Sequence, residues 1–288
     1  MAHQEPIRSM IRPVLLLPKH VEPTSSNAWL LTQMKDILNL SYAATYCAQP
    51  TLFGSDHTRI ADLSQIADIV GSDGFTLVLI LNKTREEDSE SIEIAATVTI
   101  KNFGDGDINE YFKWTKNIGG KQWADKSKAT GKEQQQPSPL VTSTSKPEVT
   151  ALGVHPNYQK LGLGVILLKE IEWLLMNFPP GRGVNDGGFD GLISLPEDVP
   201  SLVNPCLKED QNSVTDFGIG IDALRQQMPT RQRNRIPRTA VLTCVRELGN
   251  EAYYEKRGYK TVHTGIVPVG MWDSKKECTM AYMEKQLL

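Results

Sequence analysis

The sequence predicts a compact α/β fold, and three observations support this prediction. The 288 residues are 40% hydrophobic and 23% charged, which fits a globular protein with one large core or two small ones. Apolar residues recur with a period of 3.6 in some segments and form strand-sized runs in others. Two long segments, at about residues 104–146 and 178–237, interrupt this order. Without them, a single α/β core remains, so we predict one domain over residues 1–288.

The N-terminal part of the chain predicts one strand and two amphipathic helices. Residues 14–17 form a short apolar strand. Ser25 or Ser26 can cap a helix over residues 27–46. A second helix lies near residues 60–70 and ends at Gly71, a residue that commonly terminates helices. The apolar faces of the two helices are Leu30, Met34, Ile37 and Leu38, and Ile60, Leu63, Ile66, Ile69 and Val70.

The rest of the core alternates strands with two further helices. The predicted elements are strands 75–81, 92–100 and 148–154, helix 163–176, strand 240–245, helix 250–257, and strands 259–269 and 278–283. A charged turn, KTREEDSE, joins the first two of these strands in a hairpin-like arrangement. Helix 163–176 is apolar on almost every side, which predicts that it is buried.

The two interrupting segments differ in composition. Residues 104–146 contain GDGD, GG and QQQPSP, and they have almost no aliphatic residues after Trp123. We expect this insertion to be mobile, at least from Lys126 onward. Residues 178–237 are rich in Gly and Pro, with one helix-like patch at 221–228. Both segments far exceed the usual connection of about 4–6 residues, so each is either disordered or functional.

Charge and cysteine content exclude several classes of protein. The chain has 31 Lys and Arg against 34 Asp and Glu, a net charge of −3, so a nucleic-acid or membrane-surface partner is not expected. Its four cysteines are far apart and lie near no histidine cluster, which argues against disulfides and a metal site. The N-terminus lacks the apolar stretch of a secretory signal, and we expect a soluble, cytoplasmic protein, with the nucleus as another possible location.

The segment from Glu148 to Leu175 carries the first chemical signal. A strand ends at Val154, Pro156 prevents its simple continuation, and QKLGLG, residues 159–164, leads into a helix. Glycines at a helix start let backbone N–H groups approach a ligand, and the helix dipole adds positive potential there. This arrangement suits a pyrophosphate. The segment lacks the Gly-Lys-Ser/Thr of a P-loop and the third glycine of a dinucleotide fingerprint.

A second segment, GNEAYYEKRGY at residues 249–259, follows the strand at 240–245. Together, the strand LGV with HPNYQKLGLG and the segment YEKRGY resemble motifs A and B of the GNAT superfamily of acetyl-CoA-dependent N-acetyltransferases. The order of elements over the chain, apart from the two insertions, is also similar to that superfamily. The resemblance implies a mixed, mostly antiparallel sheet that is flanked by helices and splayed at the acetyl-CoA site.

The resemblance also implies roles for individual residues. Backbone groups of Leu152 and Val154 would pair with the pantetheine arm, and Asn250 could reach it with its amide side chain. Tyr254 matches the general acid common in this superfamily, and the Val154 N–H could polarise the thioester oxygen. Tyr42, Tyr46, Phe53 and Trp272 lie in segments that flank the acceptor mouth, although we expect about half of them only to pack. The pyrophosphate would be held around Gln159, Lys160, Leu161, Gly162, Leu163 and Gly164.

The implied reaction requires a base and an acid. An alkyl amine has a pKa of about 10.4, so about one molecule in 2,500 is unprotonated at pH 7, a cost of about 4.6 kcal/mol. Glu148 holds the position of the catalytic glutamate in the histone acetyltransferases that it resembles, although it could equally be a solvent-facing glutamate at a strand edge. His155 is a rival, because imidazole is a common general base, but a histidine before a proline at a strand end is more often structural. Glu247 and a water molecule are further candidates for the base.

Two functions remain after these arguments. The leading hypothesis is transfer of acetyl from acetyl-CoA, as a co-substrate and without a metal, to a primary amine by direct attack in a ternary complex. A small-molecule acceptor is slightly favoured over a protein lysine or N-terminus, because no acidic groove for basic peptides is evident. The alternative is a non-catalytic module that binds CoA as a sensor or scaffold on the same fold.

Overall fold

The structure is a computed structural model that describes most of the predicted core. It describes residues 11–54, 58–72, 74–84, 90–103, 146–177, 201–203, 216–227 and 238–287. The insertion that we expect to be mobile, residues 104–146, lies outside the described residues except for Lys146. The Gly- and Pro-rich segment 178–237 lies outside them except for residues 201–203 and 216–227.

Within the described residues, nine strands form one continuous sheet in the order β5-β6-β1-β2-β3-β4-β7-β9-β8. The pairs are antiparallel except for β4 and β7, which run parallel. The predicted fold class, a mixed and mostly antiparallel sheet flanked by helices, is therefore confirmed. The strands are β1 (Ile11–Leu16), β2 (Phe75–Thr84), β3 (Glu90–Phe103), β4 (Lys146–Val154), β5 (Ser201–Val203), β6 (Asp216–Gly220), β7 (Arg238–Val245), β8 (Lys260–Val267) and β9 (Cys278–Leu287).

Helices cover both faces of this sheet. They are α1 (Pro18–Val21), α2 (Ala28–Cys47), α3 (Ser64–Val70), α4 (Leu163–Asn177), α5 (Ile221–Gln227) and α6 (Asn250–Glu255). Helix α4 packs on one face, where its leucines join the largest apolar cluster together with residues of β2, β3 and β7. Helices α2 and α3 pack on the other face, against Val14, Val78 and Ile94. The described residues contain no helix that is both long and apolar enough to cross a membrane.

The start of α2 differs from the prediction. Neither Ser25 nor Ser26 is the N-cap; this position belongs to Asn27. Its side chain accepts a hydrogen bond from the Thr24 amide at 2.8 Å and donates to the carbonyls of His20 and Glu22. Asn27 is nearly buried, so these bonds satisfy an amide that has little access to water and fix the turn between α1 and α2.

Strands β5 and β6 lie within the Gly- and Pro-rich segment, where the sequence predicts no strand. Strand β6 pairs with β1 through Val14↔Gly220 and Leu15↔Ile219, and so extends the sheet beyond β1. Its sequence, DFGIG, contains two glycines and has little intrinsic strand preference, so the pairing edge of β1 and not local sequence places it. The helix-like patch at 221–228 is present as α5.

The sheet opens at its single parallel junction. Strands β4 and β7 share only two register pairs, Glu148↔Val241 and Val149↔Leu242. Beyond them, β4 carries a bulge, because the register with β3 shifts between Thr99↔Thr150 and Thr97↔Gly153. Ala151, in this bulge, has a φ of 46°, which lies in the left-handed region. The bulge and the end of pairing leave backbone groups of both strands facing a gap.

Candidate active site

A cavity of about 670 Å³ lies where β4 and β7 separate. Residues of both strands line it, together with the loop before α4, the segment around α6, and one side of α2. Most of the residues that the sequence predicts for cofactor binding and catalysis lie in this lining. The two exceptions are Leu161, predicted for the cofactor, and Glu148, predicted as the base. The predicted residues in the lining are Leu152, Val154, Gln159, Lys160, Gly162, Leu163, Gly164, Asn250 and Tyr254.

One end of the cavity is formed by the loop that precedes α4. Lys160 and Gly162 have φ values of 64° and 80°, and these two left-handed residues, separated only by Leu161, turn the backbone sharply before the helix. Gly162 is the residue that adopts this conformation without steric cost. Its carbonyl accepts hydrogen bonds from the amides of Val165 and Ile166 at 3.0 and 3.2 Å, and so begins the helix. Because the first amides of a helix have few acceptors within the helix, this end of the cavity is suited to an anion.

Tyr253 and Arg257 complete this end of the cavity, and the sequence analysis assigned neither to the cofactor. A Cβ placed on Gly164 would lie 2.6 Å from the Tyr253 hydroxyl oxygen, so this tyrosine covers the helix start closely. The Arg257 guanidinium lies 3.3 Å from the centre of the Tyr253 ring and donates to the Tyr253 carbonyl. Its Nε is buried without a hydrogen-bond partner. Arg257 and Lys160 thus bring two positive charges to the glycine loop.

Tyr254 lies deeper in the same cavity, on α6. Its ring makes edge-on contacts with the rings of Tyr253 and Tyr259, at centroid distances of 5.2 and 5.9 Å. Burial raises the pKa of the Tyr254 hydroxyl well above 10, and the neighbouring Tyr42, Cys244, Tyr253 and Tyr259 raise it further. The hydroxyl therefore keeps its proton at neutral pH and can act as a donor.

The edges of the gap carry the other predicted binding residues. Leu152 and Val154 line it from β4, and the Gln159 side chain donates to the Val154 carbonyl at 3.4 Å. Asn250 lines it as the first residue of α6. Cys244 lines it from β7, and burial raises the pKa of its thiol to about 12, which makes it neutral rather than nucleophilic.

Glu148 is buried in the middle of the sheet and does not face solvent at an edge. Only 3% of the residue is exposed, because β4 lies between β3 and β7. Its carboxylate forms an ion pair with Lys101 on β3 at 3.2 Å. Burial raises the pKa of the carboxyl group, and Lys101 opposes this only in part. The nearest cavity-lining residue on the same strand face is Thr150, two residues along β4.

The two other candidates for the base, His155 and Glu247, already accept hydrogen bonds from backbone amides. The Nδ1 atom of His155 accepts a hydrogen bond from the Asn157 amide at 3.3 Å, as the cap of a short 3-10 helix over Pro156–Tyr158. Both carboxylate oxygens of Glu247 accept from the Thr279 amide, at 2.8 and 2.9 Å. Neither residue lines the cavity. No group of three or more His, Cys, Asp or Glu side chains that could hold a metal ion occurs in the described part of the chain.

The opposite end of the cavity is aromatic and carries one arginine. Tyr42, Tyr46 and Trp272 line it, whereas Phe53 is fully buried and stacks on Tyr46 at a centroid distance of 4.6 Å. Phe53 thus packs, as expected for some of these four residues. Arg59 also lines this end, although no sequence pattern marks it. Arg59 reaches the cavity only because the segment before α3 folds across α2, and this arrangement is not evident from the sequence.

Comparison with known proteins gives structural likeness only. No protein-family model and no curated protein matches this sequence. Similar solved structures include acetyltransferases, and the three named here each cover 96% of this chain. They include the ribosomal-protein-S18-alanine N-acetyltransferase from Escherichia coli, with 11% identity over 94% of its length and a TM-score of 0.39. They also include NAA60 from Arabidopsis thaliana in complex with a bisubstrate analogue, with 10% identity over 97% of its length and a TM-score of 0.45.

A third similar structure is an acetyltransferase of the GNAT family from Staphylococcus aureus, with 9% identity over 99% of its length and a TM-score of 0.36. These acetyltransferases belong to the superfamily that the two sequence motifs resemble. At such identities and TM-scores the likeness carries no inference about activity. The function is therefore argued from the residues of this chain.

Proposed function

We propose that this protein is an N-acetyltransferase that moves the acetyl group of acetyl-CoA to a primary amine by direct attack in a ternary complex. The observation that carries the proposal is the continuity of one cavity. It joins a cationic, glycine-containing helix start to the splayed edges of β4 and β7, with Tyr254 between them. A ligand with a pyrophosphate, an amide-containing arm and a thioester matches these three parts in that order.

The donor would be held mainly by backbone groups. Amides of residues 160–164 receive the pyrophosphate, and Lys160 and Arg257 neutralise its charge. The pantetheine arm then lies along β4, where the bulge at Ala151 interrupts the pairing with β3 and the pairing with β7 has already ended. Its amides can bond to backbone groups of Leu152 and Val154 in the manner of an added strand.

In the reaction, the amine lone pair attacks the thioester carbonyl carbon, the C–S bond breaks, and the CoA sulfur takes a proton from Tyr254. An ordinary tyrosine, with a pKa of about 10, is a poor acid toward a thiolate whose thiol has a pKa of about 8.5. The same cavity, however, raises the pKa of the Cys244 thiol to about 12. A CoA thiolate in this cavity would be destabilised in the same way, which offsets the raised pKa of Tyr254 itself, so the proton can move to the sulfur as the C–S bond breaks.

The amine must lose a proton as well, and we assign this role to Glu148. Burial raises the pKa of its carboxyl group, which makes it a stronger base than an exposed glutamate. Because Glu148 does not line the cavity, a water molecule beside Thr150 would carry the proton. The Val154 N–H would polarise the thioester oxygen. His155 and Glu247 are less suited, since hydrogen bonds already occupy them in the described structure.

Calorimetric titration with acetyl-CoA tests the proposal first. We expect saturable one-site binding that weakens at least tenfold in a Lys160→Glu variant, because the reversed charge repels the pyrophosphate. A Lys169→Glu variant is the matched control, since Lys169 is exposed on α4 and does not line the cavity. No binding, or equal loss in both variants, would remove the basis for the proposal.

A second assay separates the enzyme from a module that only binds CoA. Release of the CoA thiol is measured with a panel of primary amines, together with the mass of the acetylated product. Amine-dependent release supports catalysis. Tight binding of acetyl-CoA without turnover on any amine in the panel would instead favour the CoA-binding module.

A further inference from the structure

The acceptor end of the cavity contains a cation that is only partly satisfied. Arg59 is half-buried, and its guanidinium carbon lies 5.4 Å from the centre of the Tyr42 ring. Its Nε atom is buried and has no hydrogen-bond partner. Within the described part of the chain, no carboxylate forms an ion pair with it. Because Arg59 lines the cavity, its positive charge favours a ligand that carries an anionic group.

Arg59 lines the same cavity as Tyr254. Its guanidinium packs on Tyr42, which lines the cavity as well. A single ligand in this cavity can therefore contact Arg59 and also present its amine to the thioester beside Tyr254. The residues around Arg59 leave room for such a ligand, since Ser41, Thr45, Tyr46 and Trp272 line the same end of the cavity.

The other charges at this end do not replace the missing acceptor. Asp273 is exposed, and both Asp273 and Arg59 act electrostatically on Tyr46, whose pKa burial raises to about 12. Tyr46 is therefore neutral and cannot serve as a counter-ion for Arg59. Glu148 is paired with Lys101 outside the lining of the cavity. Among the described residues no carboxylate neutralises Arg59, and an anionic group on the acceptor would complete the charge balance.

We propose that the acceptor is a small primary amine that carries a carboxylate, and that Arg59 binds this carboxylate. The proposal rests on the acetyltransferase function above and names the substrate class for the same site. A planar guanidinium binds a carboxylate through two parallel hydrogen bonds, which fixes the orientation of a small molecule as well as its charge. Amino acids have this chemistry, whereas a lysine side chain or a protein N-terminus is flanked by neutral peptide groups.

Matched pairs of acids and amides test the proposal with the unmodified protein. Glycine, L-serine and L-phenylalanine are each compared with the corresponding amide, and kcat/KM is measured from CoA release at saturating acetyl-CoA. We expect the acid to exceed the amide by at least tenfold in one pair or more. The amine of the amide has a pKa of about 8, so a larger fraction of the amide than of the acid is unprotonated at neutral pH. Protonation alone would therefore favour the amide, and a preference for the acid must come from binding of the carboxylate.

Substitution of Arg59 then tests whether this residue binds the carboxylate of the acceptor. In an Arg59→Gln variant, the preference for the acid should fall to within twofold, mainly through KM, while acetyl-CoA binding stays unchanged. Arg59→Lys should retain part of the preference. Lys260→Gln is the matched control, because it removes one exposed positive charge from β8, outside the cavity lining.

The outcomes separate the two proposals. If acetyl-CoA does not bind, the acetyltransferase function fails and the acceptor proposal fails with it. If acetyl-CoA binds and amides are acetylated as well as acids, only the acceptor proposal is wrong. Peptides with an uncharged first residue and an amidated C-terminus form a further arm of the assay. Acetylation of these peptides at the rate of the best amino acid would overturn the small-acid proposal in favour of a protein N-terminus.

Discussion

The contact between Gly164 and Tyr253 offers a test of the site geometry that does not depend on knowing the acceptor. In a Gly164→Ala variant, the new Cβ would lie 2.6 Å from the Tyr253 hydroxyl oxygen, but 3.7 Å from the ring carbon that carries it and 3.9 Å from Val154 Cγ2. Only the hydroxyl is therefore too close. The ring cannot easily yield, because the Arg257 guanidinium lies 3.3 Å from its centre.

The expected energies follow from this geometry. Overpacking of this kind costs about 1–3 kcal/mol. The higher intrinsic helix preference of Ala over Gly stabilises the variant by at most about 1 kcal/mol, which offsets only part of this cost. In a Tyr253→Phe background the clash is removed, so Gly164→Ala should be neutral or slightly stabilising. The helix preference cancels in the double-mutant cycle, which leaves a coupling energy of about 1–3 kcal/mol between the two positions.

The assay is urea unfolding of the four proteins without ligand, followed by circular dichroism at one pH. A coupling energy below about 0.5 kcal/mol is what independent, distant sites give. Such a value would show that Tyr253 does not lie over the start of α4. The account of the cationic end of the cavity would then be wrong.

Three further predictions follow from the site and the fold. Tyr254→Phe should lower kcat by about 100-fold with acetyl-CoA affinity unchanged, as loss of a general acid does; Tyr259→Phe, which removes a buried hydroxyl without a partner, is the control that should keep turnover. Because burial raises the pKa of Glu148, its contribution to stability is present below pH 4.5 and is lost as pH rises through the raised pKa. Glu148→Gln should accordingly match the parent Tm near pH 4 and exceed it at pH 8, and a lower Tm at pH 8 would mean that the ion pair with Lys101 dominates. Gly74→Ala should cost about 3 kcal/mol in urea unfolding, because a Cβ would lie 2.2 and 2.4 Å from two backbone carbonyl oxygens, whereas Gly54→Ala makes ordinary contacts and should cost far less.

The sequence predicts the core elements well where periodicity and local chemistry agree. Helix α4 and the loop before it are examples, because an apolar helix and glycines at its start are both local features. Strand β6 could not be predicted in this way, because pairing with β1 determines it. Asn27 takes the place of the expected serine caps because its side chain bonds to Thr24 and His20 in the segment that leads into α2.

The site shows the same division. The motifs indicated the glycine loop and Tyr254, and the cavity brings them together. They could not indicate Arg59, because an isolated arginine carries no pattern. Arg257 lies inside the YEKRGY motif, but its role depends on which surface its side chain meets. The burial of Glu148 was also beyond the sequence, since it depends on β7 closing over β4 from a distant part of the chain.

The short junction between β4 and β7 has a consequence for how the domain holds together. It joins a six-stranded part, β5-β6-β1-β2-β3-β4, to a three-stranded part, β7-β9-β8, through two register pairs. Only these two pairs join the two parts through the sheet, so the parts can act as separate cooperative units in partial unfolding. A ligand that contacts both edges of the gap would couple these units. With the ligand bound, the two parts of the sheet would then unfold together in one cooperative transition.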